Sequence, residues 1–75
     1  MKAIILDTNK HFGAQLRDDR LSQKIKQIEI EKRTGTTSGN INHFEKGHNT
    51  FGNGSIQTVF KYARALGYDE VIFKL

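Results

Sequence analysis

The sequence predicts a mainly α-helical protein, a compact bundle of four or five helices with a short β-strand at each terminus. Apolar residues recur at helical spacing on both sides of Gly35 and again between residues 55 and 67. Short β-branched runs at residues 3–6 and 71–75 predict the two strands. The 75 residues are enough for one domain with a modest core, so the domain spans 1–75.

Composition favours a globular protein whose partner is a polyanion. Hydrophobic residues make up 36% and charged residues 27% of the chain, which is typical of globular domains. Twelve Lys and Arg against eight Asp and Glu give a net charge of +4, which favours nucleic acid as partner. The apolar run at 3–6 is too short for a signal peptide or a membrane span, so we expect a cytoplasmic protein without membrane contact.

Nothing in the sequence indicates an enzyme, a metal site or a cofactor. The chain has no cysteine, which excludes disulfides and thiolate ligands. The three histidines show no ligand spacing with carboxylates, and there is no glycine motif for binding phosphate.

In the first third of the chain, strand 3–6 leads into a helix over residues 9–20 or 9–21. Asp7 or Thr8 is expected to cap this helix, with Phe12, Leu16 and Leu21 facing the core. Gly13 is unfavourable inside a helix, which suggests close packing against a neighbouring backbone. Ile25 is expected to anchor the following segment, 22–26, to the core.

Residues 27–47 have the outline of a helix-turn-helix. A helix over 27–33 stops at Thr34 and Gly35, because glycine adopts the positive φ of a sharp turn without strain. Thr36 or Thr37 should cap the next helix, which ends near Lys46 with Gly47 at the C′ position. The spacing lets Ile30, Ile41 and Phe44 bury together and leaves the outer face of the second helix polar. Two helices joined by a short glycine turn are typical of a DNA-reading unit.

The last third is predicted to contain a loop, a helix and a strand. Residues 48–54 have no periodicity and form the loop, in which Phe51 would cover the core or, as the alternative, contact a partner. Ser55 caps the helix, Gly67 ends it, and its apolar face is formed by Ile56, Val59, Phe60, Ala63 and Leu66. The terminal strands can pair with each other. Because a lone two-stranded sheet is marginal, we expect them either to be extended across a two-fold axis or to pack tightly on the helices.

The combined pattern resembles the Cro/phage-repressor (Xre-type) helix-turn-helix family over residues 13–67. The resemblance is carried by Gly13, Leu16, Arg17, Arg20, Gln27, Ile30, Gly35, Ile41, the Glu45-x-Gly47 close, and the run from Ala63 to Gly67. It implies a lambda-repressor-like bundle, a dimer, binding to double-stranded DNA, and regulation as a repressor. The terminal strands lie outside the shared core and are similar to dimerising strands of some antitoxins.

If the resemblance holds, the helix over 37–46 enters the major groove. Outward positions near its start would contact bases, since Ser, Thr and Asn side chains suit base edges; these are Thr37, Ser38, Gly39, Asn42 and His43. Phosphate contacts are expected from Gln27, Lys24, Lys26, Lys46 and His48. The alternative for both sets is an ordinary solvated surface.

The resemblance also implies a structural pair between Arg17 and Glu45 that orients the reading helix. Gln27 would either contact a phosphate or brace that helix. A second function stays open, namely a protein-interaction module on the same fold, such as an antitoxin or anti-repressor. The apolar terminal strands and Glu31, at a position where the family has a small residue, favour this second function.

Overall fold

The computed structural model describes residues 2–46 and 55–75. Over these ranges the chain is a mainly helical bundle with one short strand near each end, which confirms the predicted fold class. In chain order the elements are β1 (Ala3–Asp7), α1 (Phe12–Ser22), α2 (Gln27–Thr34), α3 (Ser38–Glu45), α4 (Ser55–Ala65) and β2 (Glu70–Lys74). The predicted loop 48–54 with Phe51, and the predicted C′ position at Gly47, lie outside the described residues.

The two strands form a parallel two-stranded sheet in which Ile5 lies opposite Ile72. Successive side chains alternate between the two faces of a strand. Ile4 and Leu6 are therefore buried against the helices, while Ile5 and Ile72 are exposed on the outer face. The strands thus pair with each other and pack on the helices, which confirms the second of the two alternatives given for them. Extension across a two-fold axis stays a prediction.

Helix α1 begins at Phe12, three residues later than predicted. His11 caps it, since its Nδ1 accepts a hydrogen bond from the amide of Ala14 at 3.4 Å. The predicted caps, Asp7 and Thr8, do not cap the helix and belong to the sheet instead. Asp7 ends β1, and the Thr8 hydroxyl donates to the carbonyl of Lys74 on β2 at 2.9 Å. The pairing of the termini therefore delays the start of the helix.

The inward face of α1 is narrower than predicted. Leu16 is fully buried and Phe12 packs against the core, as expected. Leu21, by contrast, is 49% exposed, so its predicted inward position is wrong. Arg20 occupies the buried position at this end of the helix. Ile25 is partly buried against the core, which confirms its anchoring role.

Helix α4 presents a different face to the core than predicted. Val59, Ala63 and Leu66 are buried as expected, but Ile56 and Phe60 are 46% and 42% exposed. Tyr62, which the prediction omitted, is 1% exposed. The helix is rotated toward Tyr62 because the ring fills the core while its hydroxyl finds buried polar partners. Gly67, with φ of 97°, ends this segment as predicted.

Candidate nucleic-acid interface

Helix α3 turns a polar face outward and an apolar face inward. Ile41 and Phe44 are 0% and 3% exposed, which confirms their place in the core. The predicted base-contacting residues lie on the outer side: Thr37, Ser38, Gly39 and His43 are exposed, and Asn42 is half-buried. Thr37 is the N-cap, and its hydroxyl accepts a hydrogen bond from the amide of Asn40 at 3.4 Å.

The turn that aims α3 is fixed by local hydrogen bonds. Gly35 adopts φ of 72°, and its amide donates to the carbonyl of Glu31 at 2.8 Å. The Thr34 hydroxyl donates to the carbonyl of Ile30 at 2.7 Å and accepts from the amide of Thr36 at 3.3 Å. The Thr34 side chain and the left-handed conformation of Gly35 therefore fix the end of α2 and the turn that follows it.

The backbones of α1 and α3 meet at Gly13. A Cβ atom at this position would lie 1.9 Å from the carbonyl oxygen of Phe44, a distance that no side chain can occupy. Gly13 therefore permits the approach of the two helices, which confirms the predicted close packing.

A buried polar cluster anchors the C-terminal end of α3. Glu45, the last residue of the helix, is 4% exposed, and its partner Arg20 is 7% exposed. Arg20 Nε and Nη2 donate to the two carboxylate oxygens at 3.0 and 3.2 Å. The hydroxyl of Tyr62 donates to the same carboxylate, and so does Gln27 Nε2 at 3.2 Å. One carboxylate on α3 is thus bonded from α1, α2 and α4.

The predicted pair of Arg17 and Glu45 is present, but the principal partner of Glu45 is Arg20. Arg17 Nε lies 3.9 Å from Glu45 Oε1 and its side chain is 51% exposed, so the predicted pair exists only at the rim. Arg20 is the buried partner because it lies on one helical face with Gly13 and Leu16, seven residues after the first and four after the second. That spacing was the signal in the sequence that could have identified it.

Electrostatics keep Tyr62 and Arg20 of this cluster protonated near neutral pH. Burial, together with hydrogen bonding to Glu45, raises the pKa of Tyr62 well above its ordinary value of 10, so its hydroxyl stays a donor. Burial opposes the charge of Arg20, but its hydrogen bonds and charge interaction with Glu45 outweigh this and raise the pKa of Arg20 above its ordinary value. Among the described residues, no buried side-chain nitrogen or oxygen lacks a hydrogen-bond partner.

A groove of about 440 Å³ lies over this cluster, beside the polar face of α3. It brings together residues predicted for base contact, for phosphate contact and for structural support, with Arg20 in addition. The predicted residues are Asn42, Gln27, Lys46, Arg17 and Glu45. Gln27 braces α3 through Glu45, which was one of the two roles predicted for it. The positively charged Lys46 and the polar Asn42 thus line the same groove.

Two other predicted phosphate contacts are not among the residues that line this groove. Lys24 and Lys26 are exposed in the connection between α1 and α2, where Lys24 adopts φ of 60° and Lys26 precedes the first turn of α2. His48 lies outside the described residues.

A second basic groove was not predicted from the sequence. It holds about 530 Å³ and is lined by Arg33, Thr34, Lys61, Arg64 and Ala65, from the ends of α2 and α4. Arg33 Nη1 donates to the carbonyl of Ala65 at 2.6 Å, which joins the two helices. The cations come from segments about thirty residues apart, so no local pattern could have grouped them.

We found no known protein that is similar to this chain. The chain matches no family model, no curated protein and no solved structure. Within residues 2–46 and 55–75, no cluster of His, Asp and Glu could hold a metal ion, and no helix is long and apolar enough to cross a membrane.

Proposed function

We propose that this protein is a sequence-specific DNA-binding transcriptional regulator, a homodimeric repressor that reads the major groove with α3. One observation carries the proposal. The exposed polar face of α3 belongs to a helix whose last residue, Glu45, is held from three other helices. A rigidly held helix with a solvent-facing polar side is what base reading requires.

The side chains on that face have suitable chemistry. Ser38 and Thr37 can donate to or accept from several bases, and Asn42 can bond to adenine through two atoms. Gly39 has no atom within 4 Å of where a Cβ would stand, so the helix backbone is open to close approach there. His43 adds a side chain that can bond to a base or a phosphate.

Charge supports DNA rather than a neutral partner. Lys46 and Arg17 line the same groove as Asn42, and the whole chain carries a net charge of +4. Cations on either side of base-reading residues neutralise phosphates and set the register of the protein on the duplex. A dimer would present two copies of α3 to half-sites about one helical turn, ~34 Å, apart.

Selection of bound duplexes from a randomised pool tests the proposal. The expected result is an enriched motif with two-fold symmetry, made of half-sites about 10 base pairs apart. The matched control is a variant with Ser38→Ala and Asn42→Ala, which keeps the fold and should lose the motif. A folded protein that enriches no motif would overturn sequence-specific binding.

The second candidate function is a protein-interaction module on the same fold, an antitoxin or anti-repressor. Exposed apolar side chains favour it, since Ile28 on α2 is 52% exposed and Ile5 on the sheet is 62% exposed. Capture of one stoichiometric protein, with no DNA binding at low salt, would support it over the first proposal.

A further inference from the structure

The two edges of the terminal sheet are unequal. At the edge of β1, the amide of Asp7 donates to Gln15 Oε1 at 2.8 Å, and its carbonyl accepts from Gln15 Nε2 at 2.9 Å. The side chain of Gln15 thus takes the place that a neighbouring strand would occupy. This end of β1 is closed to further pairing.

The edge of β2 is open over the described part of the chain. Glu70 donates its amide to the carbonyl of Lys2 at 3.3 Å, and the carbonyl of Lys74 accepts from the amide of Thr8 at 3.0 Å. Backbone groups alternate in direction along a strand, so those of Val71 and Phe73 point away from β1. Among residues 2–46 and 55–75, no third strand and no side chain bonds to them.

The sequence of β2 is complementary to itself when two copies run antiparallel about Ile72. In that register Glu70 lies opposite the Lys74 position of the second copy, and each Lys74 lies opposite a Glu70 position. Both residues are exposed, and both lie on the outer face with Ile72. Opposite charges placed directly across an antiparallel pair stabilise it.

The same register satisfies the open backbone groups. Val71 lies opposite the Phe73 position of the second copy, and these are the residues whose amides and carbonyls face the open edge. They would form hydrogen-bonded pairs, and the two Ile72 residues would form the close, non-hydrogen-bonded pair at the axis. Hydrogen-bond direction and charge therefore select one register.

We infer that the partner surface of this protein for a second copy of itself is the open edge of β2, paired antiparallel about Ile72. The product is a four-stranded sheet, β1–β2–β2–β1, with a row of isoleucines on its outer face from Ile5 and Ile72, 62% and 47% exposed in one chain. Three or more strands with an apolar face are stable where a lone pair is marginal.

The first test is the association state measured by sedimentation velocity across micromolar concentrations. Ile72→Lys places two ammonium groups at the two-fold axis and should weaken the dimer by more than about tenfold. Ile5→Lys is the matched control, since Ile5 is its exposed neighbour in the sheet but lies one strand from the axis. Equal dimerisation by both variants, or a wild-type monomer throughout, would overturn the inference.

Charge exchange tests the register itself. Glu70→Lys and Lys74→Glu each create two like-charge pairs in their own homodimer and should weaken it. Mixed in equal amounts, the two variants form a heterodimer in which both cross-strand pairs are again of opposite sign. Native mass spectrometry should show this heterodimer in excess over both homodimers. Statistical mixing would show that β2 does not pair about Ile72.

This inference deepens the proposed function by naming the dimer interface, but its test contains no DNA. A monomeric protein that still selects a DNA motif would overturn the dimer and its interface and leave sequence-specific DNA binding by α3 standing. A dimer with these mutational effects that selects no motif would do the reverse.

Discussion

The guanidinium of Arg20 meets the carboxylate of Glu45 through two hydrogen bonds of 3.0 and 3.2 Å, with both residues buried. This pair joins α1 to the last residue of α3. Because Gln27 and Tyr62 bond to the same carboxylate, one acidic side chain links α3 to the three other helices. The exposed face of α3 is thus positioned by residues that do not belong to it.

Arg20→Met should strongly destabilise the fold. Breaking a buried ion pair leaves Glu45 in the interior without its cation, which costs about 3–5 kcal/mol. Arg17→Met is the matched control, since Arg17 is half exposed and its loss should cost less than about 1 kcal/mol. Urea denaturation of the two variants measures the difference. Similar losses from both would show that Arg20 is not the principal partner.

Tyr62→Phe should change how stability depends on alkaline pH. Burial raises the pKa of Tyr62 above the value of 10 that it has when unfolded, so the folded protein keeps a proton that the unfolded chain loses. This stability is fully present below pH 10 and is lost as pH rises further, by up to about 1.4 kcal/mol per pH unit.

The measurement for Tyr62 is the free energy of unfolding at several pH values from neutral to strongly alkaline. The phenylalanine variant loses the hydrogen bonds to Glu45 and Arg20, so it starts less stable. The difference in the free energy of unfolding between this variant and the wild type should become smaller above pH 10. Tyr68 also has a raised pKa, but it is present in both proteins and cancels. A difference in the free energy of unfolding that stays constant with pH would contradict the raised pKa of Tyr62.

Gly13→Ala should push α1 and α3 apart. The added methyl group would lie 1.9 Å from the carbonyl oxygen of Phe44, and overpacking of this kind costs about 1–3 kcal/mol. Gly39→Ala is the matched control, because nothing lies within 4 Å of its added carbon. As a helical position it should gain roughly 0.5–1 kcal/mol. Thermal unfolding of both variants should show a lower melting temperature for Gly13→Ala and a higher one for Gly39→Ala.

Local pattern was enough to predict much of the fold. Gly35 marks a positive φ, Gly13 marks a close approach, and helical spacing places Ile30 and Ile41 in the core. These features depend on residues near one another in sequence. The start of α1 was wrong because Thr8 is drawn into the sheet by Lys74, a partner at the other end of the chain.

In the candidate site too, features set by neighbouring residues could be predicted, and features set by distant partners could not. The outward side of α3 follows from Ile41 and Phe44 facing inward, so its exposed residues could be named in advance. Arg20 was missed although it shares a helical face with Gly13 and Leu16, because a polar residue at such a position is buried only when partners such as Glu45 and Tyr62 bond to it. Meeting points of distant segments are set by tertiary packing and leave little trace in local spacing.

Ser38→Ala and Asn42→Ala should each relax base preference without weakening the fold. Both side chains lie on the outer side of α3, and a lost base contact costs about 1–3 kcal/mol of discrimination at one position. Binding to the selected duplex and to single-base variants of it measures the effect. A uniform loss on all duplexes would mean that these residues contact the backbone instead.

Lys46→Gln should weaken binding to every duplex alike, because a phosphate contact carries no sequence information. The slope of log affinity against log salt should become shallower by about 1, which corresponds to one counterion fewer released. Lys61→Gln removes the same charge from the second basic groove and is the matched control. If the slope changes with Lys61 and not with Lys46, the DNA backbone lies along the groove between α2 and α4, and the docking of α3 proposed here is wrong. If both change it, the duplex contacts both grooves and the site extends beyond the face of α3.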